Sequence, residues 1–314
     1  MPADIQIQAS DGLAAPEATA VLDLVRRAAS ADGVGPLSEH ARLHVRYGGE
    51  PGARDLLLRL DEQLAGYAHL DPPDPESGSS GELIIDPGFR DQGLGLALIR
   101  ALIAEAGGHA LRLWAHGDLP AADRLAVTAG FERTRTLYQM RRPLTGEIAE
   151  PHVAEGVEIR TFQVGQDEDA WVAINHKAFA SHPEQGSWTR ADLDLREREP
   201  WFNPAGFFLA DRDGRLAGFH WTKIHDSRDA DDDPAGAEPI GEVYVVGVDP
   251  QEQGTGLGRA LTLIGLHYLR DRGLPAVMLY VDGDNTPAIR LYETLGFTRW
   301  RTDVMFTRQP GMAR

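Results

Sequence analysis

Cysteine is missing altogether from this 314-residue chain, which excludes disulfides, a thiolate nucleophile and thiolate metal sites. Long apolar runs are missing too. None approaches the roughly 18 residues of a membrane span, and no basic-then-apolar stretch opens the chain. A soluble, cytoplasmic protein is expected. Positive charge is scarce: 31 Lys and Arg face 48 Asp and Glu, a formal net charge of −17. That balance opposes binding to nucleic acid or an anionic membrane and favours a cationic small substrate through long-range attraction. The 11 histidines are scattered, with no His-Glu-x-x-His or similar ligand spacing, so no metal is expected.

What the chain does contain is a repeat. The turn Pro87-Gly-Phe-Arg90-Asp-Gln-Gly93-Leu-Gly95 returns as Pro250-Gln-Glu-Gln253-Gly-Thr-Gly256-Leu-Gly258. In each copy an extended apolar run (Leu83 to Ile85, Tyr244 to Val248) enters the turn, and a helical apolar pattern follows it. Glycines there let the backbone approach a ligand closely, while first-turn amides and the helix dipole favour a pyrophosphate. The repeat continues in Arg124 to Gly130-Phe131 and Arg290 to Gly296-Phe297, each ending a helix after a strand-like run.

Neither turn is a Walker loop, because no Gly-Lys-Ser/Thr follows. Neither is a dinucleotide fingerprint, because Leu98 and Leu261 stand where its third glycine belongs. Arg/Gln-x-x-Gly-x-Gly, and the order strand, glycine turn, helix, strand, helix, Gly-Phe, strand, resemble the GCN5-related N-acetyltransferases (GNATs). The resemblance implies an α/β (α+β) fold of two tandem GNAT domains. Each would have a mixed, mostly antiparallel sheet with a splayed parallel strand pair at the acyl-CoA site, flanked by helices. The stretch from Pro143 to Val157 has two prolines, two glycines and little periodicity, as linkers do. It divides the chain into residues 1–143, a linker at 144–156, and residues 157–314. The acidic run Asp229 to Asp233 reads as part of a solvated hairpin loop rather than a metal site.

Acetyl transfer to an amine needs a carboxylate to remove the ammonium proton and a hydroxyl to protonate the departing thiolate. Glu242 lies just before the second motif strand, where the first copy has Ser79. Tyr292 stands on the helix after the second splayed strand, where the family commonly keeps a tyrosine; its counterpart is Ala126. Asn285 is replaced by Leu119. The expectation is therefore asymmetric: a catalytic second half with Glu242 as base and Tyr292 as acid, and a first half that binds acyl-CoA without turnover or is structural. Read without the family, the alternative for Glu242 is an exposed strand-end residue and for Tyr292 a helix-packing one. Lys223 is a solvated strand end or a substrate contact, and Glu39 and Glu184 are surface carboxylates.

The segments His182-Pro-Glu-Gln-Gly186-Ser-Trp188, Gly218-Phe-His-Trp-Thr-Lys223, Gly241 to Pro250, Leu279-Tyr-Val281, Trp114-Ala-His-Gly117 and Gln139-Met-Arg-Arg-Pro143 are more specific. They resemble the tandem GNATs that acetylate the cysteinyl amine of cysteinyl-glucosaminyl-inositol (Cys-GlcN-Ins). This resemblance implies that Glu39, Glu184, Lys223, Glu242 and Tyr280 contact that small-molecule substrate. It implies that acetyl-CoA is held by Val246, Gly247, Val248, Gln253, Gly254, Thr255, Gly256, Leu257, Gly258 and Arg259. Asn285, Thr286, Pro287, Ala288, Ile289 and Arg290 would complete that site. A second acetyl-CoA would sit on Leu83, Ile84, Ile85, Asp91, Gln92, Gly93, Leu94, Gly95 and Leu96. The monomer is the expected state, the two repeats forming an internal pseudo-dimer. Two other readings stay open: acetylation of another small amine, such as an aminoglycoside or peptide amino terminus, and a non-catalytic acyl-CoA sensor.

Overall fold

A computed structural model describes residues 5–49, 51–75, 77–180, 182–225 and 238–311; the side chains of Pro183 and Glu184 also fall outside the described set. The acidic run Asp229 to Asp233 lies outside it as well.

The amino half runs β1 (Ile5–Ser10), α1 (Ala15–Asp32), α2 (Glu39–Tyr47), β2 (Arg54–Leu60), β3 (Gln63–Leu70), β4 (Ser79–Ile85), α3 (Leu94–Glu105), β5 (Leu111–Ala115), α4 (Pro120–Thr128) and β6 (Glu132–Pro143). The carboxyl half repeats the plan as β7 (Val157–Thr161), α5 (Glu168–Ala178), α6 (Pro183–Gly186), α7 (Arg190–Glu197), β8 (Phe207–Arg212), β9 (Arg215–His225) and β10 (Ile240–Val248). It closes with α8 (Leu257–Asp271), β11 (Ala276–Asp282), α9 (Thr286–Thr294) and β12 (Thr298–Arg308).

Local sequence explains the elements at the repeat. Gly93 and Gly256 adopt left-handed φ of 79° and 87° as N-caps of α3 and α8, a conformation that a side chain would strain. Apolar residues at helical spacing (Leu94, Leu98, Ile99 and Leu102; Leu257, Leu261 and Leu269) then bury one face of each helix.

The two halves share one twelve-stranded sheet, in the order β1-β2-β3-β4-β5-β12-β6-β11-β10-β9-β8-β7. The last strands are exchanged. β12 lies beside β5 of the amino half, and β6 lies beside β11 of the carboxyl half. The exchange is anchored by burial: Val304 and Phe306 of β12 pack with Leu98, Leu102 and Leu113, and Met140 of β6 packs with Leu266, Val277 and Leu279. At about 1.5–3 kcal/mol for each fully buried side chain, these three contribute several kcal/mol to holding the halves together.

Among the described residues only β4–β5 and β10–β11 pair in parallel, each over three residue pairs. Beyond Gly81/Leu113 and Val243/Leu279 no further pairs form although the strands continue, so each parallel pair splays. α3 and α8 start at the open ends of these splays. β10 also carries a β-bulge between Val243 and Val245, leaving Tyr244 out of register with β9, whereas β3–β4 pairs without a shift.

Candidate acyl-transfer site

Because side chains alternate along a strand, one face of the eight strands from β3 to β9 in sheet order presents a continuous surface. His69 and Asp71, Glu82, His116, Asp303, Gln139, Tyr280, Glu242 and Lys223 all face one cavity of about 1010 Å³. Glu39 and His40 of α2 close it from the amino half, and Gln185 and Arg196, from the region of α6 and α7, close it from the carboxyl half. The cavity therefore belongs to both halves, and the exchanged strands form part of its floor.

Glu242 is 6% exposed, and its Oε2 lies 2.7 Å from His225 Nε2. Its direct neighbour across the β9–β10 ladder is Lys223. Lys223, one of two lysines in the chain, turns instead to the amino half: Nζ donates to Glu39 Oε1 at 2.6 Å and lies 4.6 Å from the centre of the Trp201 ring. Tyr244 donates to the other Glu39 oxygen, and Arg196 Nε donates to Tyr244 at 2.8 Å. Burial would raise the Glu39 carboxyl, but Lys223 and Arg196 outweigh it and hold it at about 2. Glu39 is thus a fixed anion that joins the halves. Tyr280 accepts a hydrogen bond from Gln139 Nε2 at 2.8 Å, and burial pushes its hydroxyl up.

The residues expected to contact substrate thus converge: Glu39, Lys223, Glu242 and Tyr280 share the cavity. Glu184 lies in α6, and its side chain is outside the described residues. Tyr292 is elsewhere, on α9 beside Phe297 and among the residues packed on the carboxyl-half core. Burial pushes its hydroxyl up to about 12, which keeps it a proton donor at neutral pH.

The acyl-CoA candidates occupy the splays and turns. Leu83, Ile84 and Ile85 end β4, and Val246, Gly247 and Val248 end β10. Asp91 and Gln92 precede the Gly93 cap, with Asp91 itself at a positive φ of 59°. Gln253, Gly254 and Thr255 precede the Gly256 cap. The amides of Leu94, Gly95 and Leu96, and of Leu257, Gly258 and Arg259, are first-turn helix donors; the ladder begins with Ala97 N to Gly93 O and Ala260 N to Gly256 O. Asn285 caps α9, accepting from Ala288 N at 3.2 Å, and Thr286, Pro287, Ala288, Ile289 and Arg290 form the following turns. The two clefts differ in width at the turn. A Cβ on Gly95 would meet Leu125 Cδ2 of α4 at 2.9 Å, whereas at Gly258 the nearest atom is Val248 Cγ2 at 3.5 Å.

Several members of the site carry no motif. His225, Arg196 and Asp303 lie in none of the quoted segments, and Tyr244, Gln139 and His116 stand in such segments without an assigned role, although His225 follows Lys223 by two strand positions and must share its face. The bulge also changes one correspondence. A constant offset pairs Glu242 with Ser79, but relative to the parallel partner strands Glu242 (opposite Met278) matches Ser80 (opposite Arg112). The extra residue in β10 causes the shift. The histidines, scattered in sequence, also converge. His40 and His69 each lie 2.9 Å from Asp71 Oδ1, and His44 lies 2.9 Å from Asp55 Oδ2. These groups have donor atoms that could hold a metal ion. Burial would lower His69, but Asp55 and Asp71 outweigh it and hold it at about 9.

Residues 22–131 and 171–297 each match the model of the acetyltransferase (GNAT) family, and the chain belongs to that family. Within it, the chain is 60% identical over 289 residues to the mycothiol acetyltransferase of Thermobispora bispora, covering 92% of this chain and 95% of that one. It is 55% identical over 321 residues to the mycothiol acetyltransferase of Acidothermus cellulolyticus, covering 98% and 96%. Among solved structures it resembles a tandem GNAT protein from the clavulanic acid biosynthesis pathway, with a TM-score of 0.74, 20% identity, and coverage of 99% and 100%; that likeness concerns the fold alone.

Proposed function

We propose that this protein transfers the acetyl group of acetyl-CoA to the cysteinyl amine of desacetylmycothiol (Cys-GlcN-Ins), giving mycothiol and CoA. The observation that carries this reading is the placement of Glu242, a buried carboxylate on the floor of a cavity walled by both halves. Near-full-length identity to mycothiol acetyltransferases supplies the substrate.

The acceptor amine, with a pKa of about 8, arrives mostly as ammonium at neutral pH. Glu242 takes its proton, directly or through a water. The nitrogen lone pair then attacks the thioester carbon, a C–N bond forms, and the C–S bond breaks. Backbone freed from pairing at the Tyr244 bulge is suited to hold the carbonyl oxygen as it becomes negative. The CoA sulfur receives the Tyr292 proton, and the second proton lost by the nitrogen restores the tyrosine through solvent. Glu39, Lys223 and Tyr280, with Glu184, bind the polyol and amine parts of the acceptor.

In this reading the carboxyl-half splay and the α8 first turn hold the reacting acetyl-CoA, with Asn285 to Arg290 on the other side. A second acetyl-CoA occupies the amino-half turn without reacting, since neither Ser79 nor Ser80 replaces Glu242 and Ala126 replaces Tyr292. Units at 1–143 and 157–314, a monomeric state and a cytoplasmic location belong to the same proposal; among the described residues no helix is long and apolar enough to cross a membrane. The test is acetyl transfer from acetyl-CoA to Cys-GlcN-Ins, followed by CoA release and product mass, with an aminoglycoside, a peptide amine and a cysteine-free analogue alongside. Efficient acetylation confined to the cysteinyl amine is expected. Preference for another amine, or acetyl-CoA binding without turnover, overturns the reading.

A further inference from the structure

Glu242 is not alone at its position. His225 leaves the same face of β9, two residues past Lys223, and its Nε2 is 2.7 Å from Glu242 Oε2. Both side chains are more than nine-tenths buried, at 9% and 8% exposure. Lys223, opposite Glu242 on the ladder, donates to Glu39. The imidazole is a direct hydrogen-bond partner of the carboxylate in the cavity floor.

We propose that His225 is the positioning residue for the catalytic base. It fixes one carboxylate oxygen of Glu242 and turns the other toward the acceptor amine. The proposal rests on the assignment of Glu242 as base. His225 donates Nε2–H to the carboxylate and aims it. Proton balance is unchanged: one proton passes from nitrogen to Glu242 and on to solvent, and His225 ends each turnover as it began. Lys223 on β9, Tyr280 on β11, Arg301 and Asp303 on β12, and Glu39 on α2 are among the charged or titratable described residues that line the same cavity. Of these, Glu39 is held ionised far below neutral pH and Tyr280 is pushed up, away from it.

Two substitutions isolate the hydrogen bond. His225→Gln keeps an N–H donor, and His225→Leu removes it. With full-length enzyme, kcat and KM for acetyl-CoA and Cys-GlcN-Ins are measured at a fixed pH. His225→Leu is expected to lose at least about tenfold in kcat, through misplacement of the base, with acetyl-CoA KM unchanged. His225→Gln is expected to stay within about threefold of the wild type, because a retained donor still aims the carboxylate. A His225→Gln enzyme as slow as His225→Leu overturns the proposal, as does a full-rate His225→Leu enzyme. Because the comparison uses wild-type enzyme that acetylates Cys-GlcN-Ins, either result removes His225 while leaving the acetyl-transfer reading standing.

Discussion

Single side chains decide whether the cavity is a catalyst or only a container. Glu242→Gln keeps the size and a hydrogen-bonding end but cannot accept a proton. It should lower kcat by about 10²- to 10³-fold at pH 7 with acetyl-CoA KM little changed. The loss should shrink above pH 8, where the acceptor amine is increasingly free without a base. Steady-state rates from pH 6.5 to 9.5 check both statements, and a full-rate variant removes Glu242 from the chemistry. A different carboxylate matters for stability. Burial, then Glu168 and Asp194, push Glu197 up from 4.5 to about 7. Below pH 4.5 it is protonated in folded and unfolded chains alike and changes nothing. Between pH 4.5 and 7 the unfolded chain ionises it while the folded protein keeps it protonated, so stability falls through that window and levels off above it. Glu197→Gln should therefore leave unfolding unchanged at pH 4 and stabilise by about 1 kcal/mol at pH 8, a figure reduced for solvent screening. Urea midpoints at the two pH values test this.

Elements show where sequence patterns stop being informative. The turns at Gly93 and Gly256 were legible because glycine, helix start and apolar period are all local. So were the splayed strands, each followed by its turn. The exchange of β6 and β12 was not legible. Each looks like the last strand of its own half, and its residues alternate in the same way whichever neighbour receives them. The bulge at Tyr244 and the His225–Glu242 contact escaped for a related reason, since both depend on cross-strand register. Once exchanged, β12 is secured by a charge contact. Asp303 accepts from Gly117 N at 2.9 Å and lies 3.0 Å from His116 Nδ1, with Glu82 on the far side of the ring at 3.7 Å. Burial would lower His116, but Asp303 and Glu82 outweigh it and hold it at about 10. That contribution is complete below about pH 6.5 and is lost as pH rises toward 10. Asp303→Asn should cost about 3 kcal/mol at pH 6 and clearly less at pH 9.5. An equal cost at both values in urea titrations would separate Asp303 from the charge of His116.

At the scale of the molecule, the two repeats are not two beads on a linker. The amino half lends β6 to the floor of the cavity, where Gln139 holds Tyr280, and lends Glu39 to Lys223 across the gap. The carboxyl half returns β12 and completes the amino-half core with Val304 and Phe306. In the proposed reading, a half without counterparts of Glu242 and Tyr292 is thereby kept as part of the substrate site. Separation of the halves should expose the consequence. Residues 1–150 expressed alone would leave β5 without its β12 neighbour and β6 without both of its neighbours, three unpaired strand edges. Residues 151–314 would suffer the reciprocal loss at β11 and β12. Each fragment should be insoluble or bind a second copy of itself, whereas co-expressed fragments should co-purify one to one and recover acetyl transfer. The peptide between the halves can be cut because cross-chain pairing of β6 with β11 and β12 replaces it. Analytical ultracentrifugation and activity of the co-expressed pair decide the matter. Two well-behaved monomeric fragments with no affinity for each other would show that the exchanged strands are not what holds the molecule together.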